Sequence, residues 1–165
     1  MAPSKLAPIR AVCDTNVLVP HGHRQYLLEA ASFGLFRPLW SPWIIGELYR
    51  VLTWQWVQKH GASETERRLC STAANALMAL LLPDWELINI APPWPKGWST
   101  LRDPYDLPII ATALKGHARY IVSENTHDFP PADAAGRHVW QNLEFLRIAD
   151  FLEIIGMDYK PHARL

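Results

Sequence analysis

Cysteine is nearly absent. Cys13 and Cys70 are the only two in 165 residues, too few for the disulfide framework of a small secreted domain and compatible with a reducing compartment. Cys13 stands in an apolar run, where a thiol reads as a small buried hydrophobe rather than a reactive group. Long apolar runs are also missing. The longest candidate, Leu77 to Leu82, falls far short of the ~20 residues that span a bilayer, and the N-terminus lacks the apolar region of a signal peptide. The expectation is a soluble cytoplasmic protein with no membrane association. Neither sign of charge is in excess: 16 basic and 16 acidic side chains cancel. Whole-chain charge therefore does not advertise a nucleic-acid binder, although acids clustered in a site are able to offset basic rims. The seven histidines show no zinc spacing; His21 and His23 have neither partner cysteines nor an i, i+4 repeat. A Gly-rich phosphate loop and a Gly-x-Ser-x-Gly elbow are lacking, which argues against a P-loop nucleotide site and a serine-hydrolase triad.

What is present is apolar. Hydrophobic residues make up 49% and charged residues 19%, the balance of one globular domain with a sizeable core. No repeat, low-complexity tract or linker divides it, so a single domain is expected over 1–165. Tryptophan is abundant at eight. Trp40, Trp43, Trp54 and Trp56 form one cluster, and Trp94 and Trp98 another. Core or subunit-contact anchoring is the main reading, with base stacking as the minority one.

Patterning predicts strands alternating with helices. Ile9 to Cys13 reads as a buried strand, and Arg24 to Phe33 as a helix stopped by Gly34. Phe36 to Leu39 reads as a second strand. Ser41-Pro42 is an N-cap followed by proline at the first helical position, opening a helix to about Lys59 that Gly61 closes. Ser63 and Glu66 make a capping box for the next helix, ended by Pro83. Glu86 to Ile90 reads as a strand and 91–101 as a loop. Pro108 places another helix start near Asp106, with the helix running over 107–115. Tyr120 to Val122, Val139-Trp140 and a helix over 151–155 complete the set. This order predicts a three-layer α/β/α sandwich around a mainly parallel sheet.

The carboxylates carry the functional argument. Asp14 and Asp128 each follow a predicted strand, and ligand crevices of open parallel sheets lie at strand carboxyl ends. Helix capping and Asx turns are the ordinary uses of such residues. Glu47 projects at the edge of the face set by Ile44, Leu48, Val51 and Leu52, where an unpaired carboxylate is costly; a surface pair with Arg50 is the alternative. Gly46 beside it weakens the helix, and close approach of another backbone would explain it. Asp103 and Asp106 bracket a helix start, where capping accounts for one acid better than for two. Together these acids offer the oxygen ligands that Mg²⁺ or Mn²⁺ prefer and that metal-assisted phosphodiester hydrolysis uses.

Four segments in order resemble the motifs of PIN domains. These are Val12-Cys13-Asp14-Thr15-Asn16-Val17-Leu18, Ile45-Gly46-Glu47-Leu48, Asp103-Pro104-Tyr105-Asp106 with Ile110-Ala111-Thr112-Ala113, and Ile121-Val122-Ser123-Glu124-Asn125-Thr126-His127-Asp128-Phe129-Pro130. The last has the form seen in a bacterial subgroup of toxin type. The resemblance implies a metal-dependent ribonuclease, often the toxin of a toxin–antitoxin pair. It assigns Asp14, Glu47 and Asp106 as catalytic, metal-binding acids and Asp103 as an accessory acid. Asn16, Ser123 and Asn125 are further accessory positions. Many members place aspartate where Asn125 stands, and Asp128 is the candidate substitute as a metal ligand.

The reading is thus a Mg²⁺/Mn²⁺-dependent endoribonuclease. Its expected partners are RNA, a cognate antitoxin and a second copy in a homodimer. Arg24, Arg50 and Lys115 are candidate phosphate contacts. A catalytically inactive module that binds RNA or protein is the alternative, favoured by Asn125. An aspartyl-nucleophile phosphatase ranks last, because Asn16 stands where its second acid belongs.

Overall fold

The computed structural model describes residues 8–81, 83–93 and 106–160; Asp103, Trp94 and Trp98 lie outside them. The chain opens with strand β1 (Ile9–Cys13), a single helical turn α1 (Thr15–Leu18) and helix α2 (His21–Ser32). Strand β2 (Phe36–Trp40), the long helices α3 (Pro42–His60) and α4 (Glu64–Leu81) and the short strand β3 (Glu86–Leu87) follow. The last part holds α5 (Leu107–Lys115), β4 (Tyr120–Val122), a 3-10 turn (Thr126–Asp128), β5 (His138–Trp140), β6 (Leu143–Leu146) and α6 (Ile148–Ile154).

The six strands form one sheet in the order β3-β2-β1-β4-β6-β5. Every pairing is parallel except that of the edge strand β5 with β6. Helices cover both faces, giving the expected three-layer α/β/α sandwich. Alternation along β2 shows how: Phe36 meets Phe151 of α6 edge-on at 5.0 Å, whereas Leu39, on the opposite face, lies against Gly116 at the end of α5. A Cβ at Gly116 would stand 2.6 Å from Leu39 Cδ1 and 2.9 Å from the Thr112 carbonyl oxygen, so only glycine lets α5 end so close to the sheet. The buried stretches of the central strands are apolar, as a sheet covered on both faces requires; Ala11, Val12, Cys13, Ile121 and Val122 are all buried.

Local chemistry sets the helix ends. The Ser41 hydroxyl accepts from the Ile44 amide at 3.4 Å with Pro42 behind it, and Gly61 closes α3 with φ of 89°. The Glu66 amide donates to Ser63 Oγ at 3.2 Å. At the far end of the sheet from the strand carboxyl ends, Arg10 grips Glu86 through two bonds of 3.0 and 2.8 Å and donates to the Gly116 carbonyl at 2.7 Å. That clamp ties β1, β3 and α5 together and leaves the opposite rim to the functional side chains.

Three elements differ from the sequence expectation. The polar set after β1 is itself helical, as α1. Leu143–Leu146 is a sheet strand, lying between β4 and the edge strand β5. Glu86 to Ile90 shortens to the two residues of β3.

Candidate active site

Parallel pairing of β1 with β4 sets Cys13 opposite Val122, so Asp14 and Ser123 leave the sheet side by side. The Asp14 amide donates to the Val122 carbonyl at 2.9 Å, which holds the two strand ends together. The Asp14 carboxylate is the hub. Its Oδ1 accepts from the Thr15 amide at 2.6 Å and from Thr15 Oγ1 at 3.3 Å. Its Oδ2 accepts from Asn16 Nδ2 at 2.8 Å and Ser123 Oγ at 3.0 Å. Asn16 Nδ2 also donates to Ser123 Oγ at 2.8 Å, and Asn16 Oδ1 accepts the Glu124 amide at 3.0 Å. The capping role is real, since Asp14 is the N-cap of α1. It does not exhaust the residue, because the same carboxylate faces a cleft. Burial pushes the Asp14 carboxyl above its ordinary value, opposing the Ser123 and Thr15 hydrogen bonds that pull it down. Neighbouring Cys13 is fully buried and its thiol is pushed upward by the same desolvation.

The cleft has a volume of about 550 Å³ and is lined by Asp14, Asn16, Trp43, Glu47, Arg50 and Asp106, with Thr15 and Ile109. Three carboxylates from three separate segments thus border one space. Glu47 comes from the second turn of α3, its side chain 25% exposed and paired with Arg50 at 3.3 Å. Asp106 stands at the N-terminus of α5, yet its side chain makes no capping bond there. A narrow recess of about 20 Å³ adjoins the cleft, shared by Asp14, Asp106, Ser123, Asn125 and Asp128. In it the Asn125 side-chain amide donates to Asp128 Oδ2, and the Asn125 backbone amide donates to Ser123 Oγ at 3.2 Å.

Hard oxygen donors of this kind suit a divalent cation such as Mg²⁺ or Mn²⁺. They border the cleft rather than converge on a point: among the described residues no three His, Cys, Asp or Glu side chains are gathered closely enough to hold an ion. The donor set fits the cation in chemistry, and its three carboxylates border one cleft without closing on a point.

Of the three expected phosphate contacts, Arg50 borders the cleft and the other two do not. Arg24 is spent on the backbone, its Nη1 donating to the Leu18 and Val19 carbonyls at 2.7 and 2.8 Å, and burial lowers its pKa. Lys115 lies at the opposite end of α5 from Asp106 and donates to the Ala91 carbonyl. Gly46 does not accommodate another backbone either: a Cβ there would meet nothing within 4 Å. Thr15 and Trp43 were not among the site residues expected from sequence. The signal for Trp43 was available, since it precedes Glu47 by four residues on the same helical face.

No helix among the described residues is long and apolar enough to cross a membrane. No curated protein and no solved structure matches the chain. A sequence model of the PIN domain family matches residues 10–127, well over half of the chain. The match takes in Asp14, Asn16, Glu47, Asp106, Ser123 and Asn125 and ends one residue before Asp128. A mainly parallel sheet with acids at its carboxyl rim and the four motifs in order agree with that match, and the chain belongs to the PIN domain family, which has a nuclease fold.

Proposed function

We propose that this chain is an endoribonuclease that hydrolyses RNA phosphodiester bonds with Mg²⁺ or Mn²⁺ and acts in the cytoplasm as the toxin of a toxin–antitoxin pair. The observation that carries the catalytic part is the shared cleft of Asp14, Glu47 and Asp106. These three residues would hold the cation, with Asp128 as a further ligand and Asp103 as an accessory acid. When bound, the cation lowers the pKa of a water and offsets charge on the attacked phosphate.

The chain's own groups supply position and field. Ser123, Asn16 and Thr15 fix both oxygens of Asp14, so that this carboxylate costs little reorganisation during reaction. The partly buried setting strengthens every charge interaction in the cleft. Arg50 is exposed at its rim, where its planar fork matches a phosphate; its pair with Glu47 is an i, i+3 surface contact, worth little and easily exchanged. Water oxygen forms the new bond to phosphorus, the ribose oxygen leaves, and no covalent enzyme intermediate is needed.

The test is cleavage of single-stranded RNA with and without Mn²⁺, beside a generic phosphate monoester. Metal-dependent RNA cutting that Asp14→Asn abolishes is expected; hydrolysis of the monoester alone would contradict the proposal. The toxin role rests on the form of the last motif, and a neighbouring gene for a short DNA-binding antitoxin would test it. A protein antitoxin and a second copy of the chain are the proposed partners.

One observation favours a second reading, a module that binds RNA or protein without cutting. Asn125 stands where many relatives carry an acid, and its amide engages Asp128. RNA binding without cleavage at any Mn²⁺ concentration would decide for it.

A further inference from the structure

We infer that Trp54 is a stacking platform for an unpaired RNA base, extending the cleft by one subsite along α3. The inference rests on the ribonuclease reading above.

Trp43, Glu47, Arg50 and Trp54 are spaced i, i+4, i+7 and i+11, which sets all four on one face of α3. Buried Ile44 and Leu48 mark the side of the helix turned to the core. The first three line the cleft. Trp54 lies one turn further, roughly 6 Å along the axis from Arg50 at 1.5 Å per residue.

Trp54 is 60% exposed, an unusual state for so large an apolar ring. The other tryptophans of this region are engaged. Trp40 is buried against Trp85 at 5.3 Å. Trp56 donates its indole N–H to Glu66 at 3.0 Å and packs against His60 at 4.7 Å. Trp43 packs against the core. No ring contact or hydrogen bond engages Trp54 among the described residues.

An exposed aromatic next to an exposed cation is the chemistry that binds single-stranded nucleic acid: the cation takes a phosphate and the ring takes a base face of any sequence. Arg50, its side chain 70% exposed, stands between the carboxylates and Trp54. Phosphate and base contacts therefore follow one another along the helix in the order a strand leaving the cleft would meet them. This continuity with a charged cleft favours RNA over a second protein surface.

The test uses the full chain carrying Asp14→Asn, which keeps RNA intact, and a fluorescein-labelled oligouridylate of about ten nucleotides read by anisotropy. Trp54→Ala should weaken binding by roughly 5- to 150-fold, the range of single base–aromatic stacks. Trp54→Phe should restore most of it. Arg50→Gln should instead flatten the salt dependence by about one phosphate contact. Equal affinity of the Trp54→Ala and parent proteins overturns the inference and leaves the ribonuclease reading intact. Loss of a dimer on Trp54→Ala, with RNA affinity unchanged, also overturns it and assigns the face to a second copy. A parent protein that neither binds this RNA nor, in wild-type form, cuts it overturns the ribonuclease reading itself.

Discussion

The two walls of the cleft are built differently. On the strand side, Asp14 sits in a closed network with Thr15, Asn16 and Ser123, at the junction of β1 and β4. On the helix side, Glu47 and Arg50 project from α3 and pair with each other at 3.3 Å. One carboxylate is fixed before any ligand arrives; the other is free to follow one. A hub that is partly buried and bonded on both oxygens gives precision, and a more exposed flank gives adaptability. Asymmetry of this kind predicts that equivalent-looking substitutions on the two walls will not behave alike.

The largest effect is expected from Asp14→Asn. Loss of a proposed direct metal ligand should exceed the roughly 10- to 100-fold cost typical of residues that only orient ligands, while the protein remains folded. Burial raises the Asp14 carboxyl above its ordinary value of 3.8. Its contribution to stability is therefore full below that value and lost as pH rises through the raised one. Wild-type stability should fall over this window relative to Asp14→Asn, and denaturant unfolding from pH 4 upward, about the ordinary carboxylate value, measures it.

Glu47→Gln comes next. The flank is adaptable, so cleavage should drop strongly at low Mg²⁺ and recover at high Mg²⁺ far better than Asp14→Asn does, because mass action offsets lost affinity. Equal rescue of the two variants in a metal titration would erase the contrast between the walls. Asp128→Asn should show the same pattern in weaker form.

A smaller effect is expected from Ser123→Ala, on the order of 10-fold for an orienting residue. The Ser123 bond lowers the Asp14 pKa, so its removal should raise that pKa further. The acid limb of the pH–rate profile should then move to higher pH. An unmoved limb with reduced rate would mean that Ser123 acts on shape alone.

The smallest effect concerns Gly46→Ala. With nothing within 4 Å of where a Cβ would stand, the substitution should stabilise the fold by about 0.5–1 kcal/mol, read by urea unfolding. A marked loss of RNA cleavage beside that gain would place the ligand backbone against this face of α3.

Much of this was legible in the sequence where one signal acted alone. Ile9–Cys13, Leu107–Lys115 and Tyr120–Val122 appear where apolar runs, a first-turn proline and a closing glycine put them. The four motif segments pointed to Asp14, Glu47 and Asp106, which border one cleft. Short elements were harder. Thr15–Leu18 is a single turn whose start is also a plausible strand-end turn, and only the Asp14 cap distinguishes them. Leu143–Leu146 has just two inward residues, Leu143 and Phe145, too few for periodicity to speak; its pairing with β4 is what makes it a strand. Positive residues were least legible, since Arg24 and Lys115 were consumed by backbone carbonyls, a fate that no local pattern announces.

The number of metal ions sharpens the same contrast. Asn125 brings a neutral oxygen where an acid would offset charge, so one well-occupied site is expected in the absence of RNA; two tight, equivalent sites by titration calorimetry would contradict that.

The central claim, that Asp14, Glu47 and Asp106 act as one metal-dependent site on RNA, is tested most directly by a single cleavage experiment. Wild-type protein and the Asp14→Asn, Glu47→Gln and Asp106→Asn variants are each incubated with single-stranded RNA in Mn²⁺ or in chelator. The account predicts cutting by the wild type in Mn²⁺ alone and strong loss in all three variants at low Mn²⁺. Cutting that persists in chelator, or that survives Asp14→Asn at the wild-type rate, would contradict it.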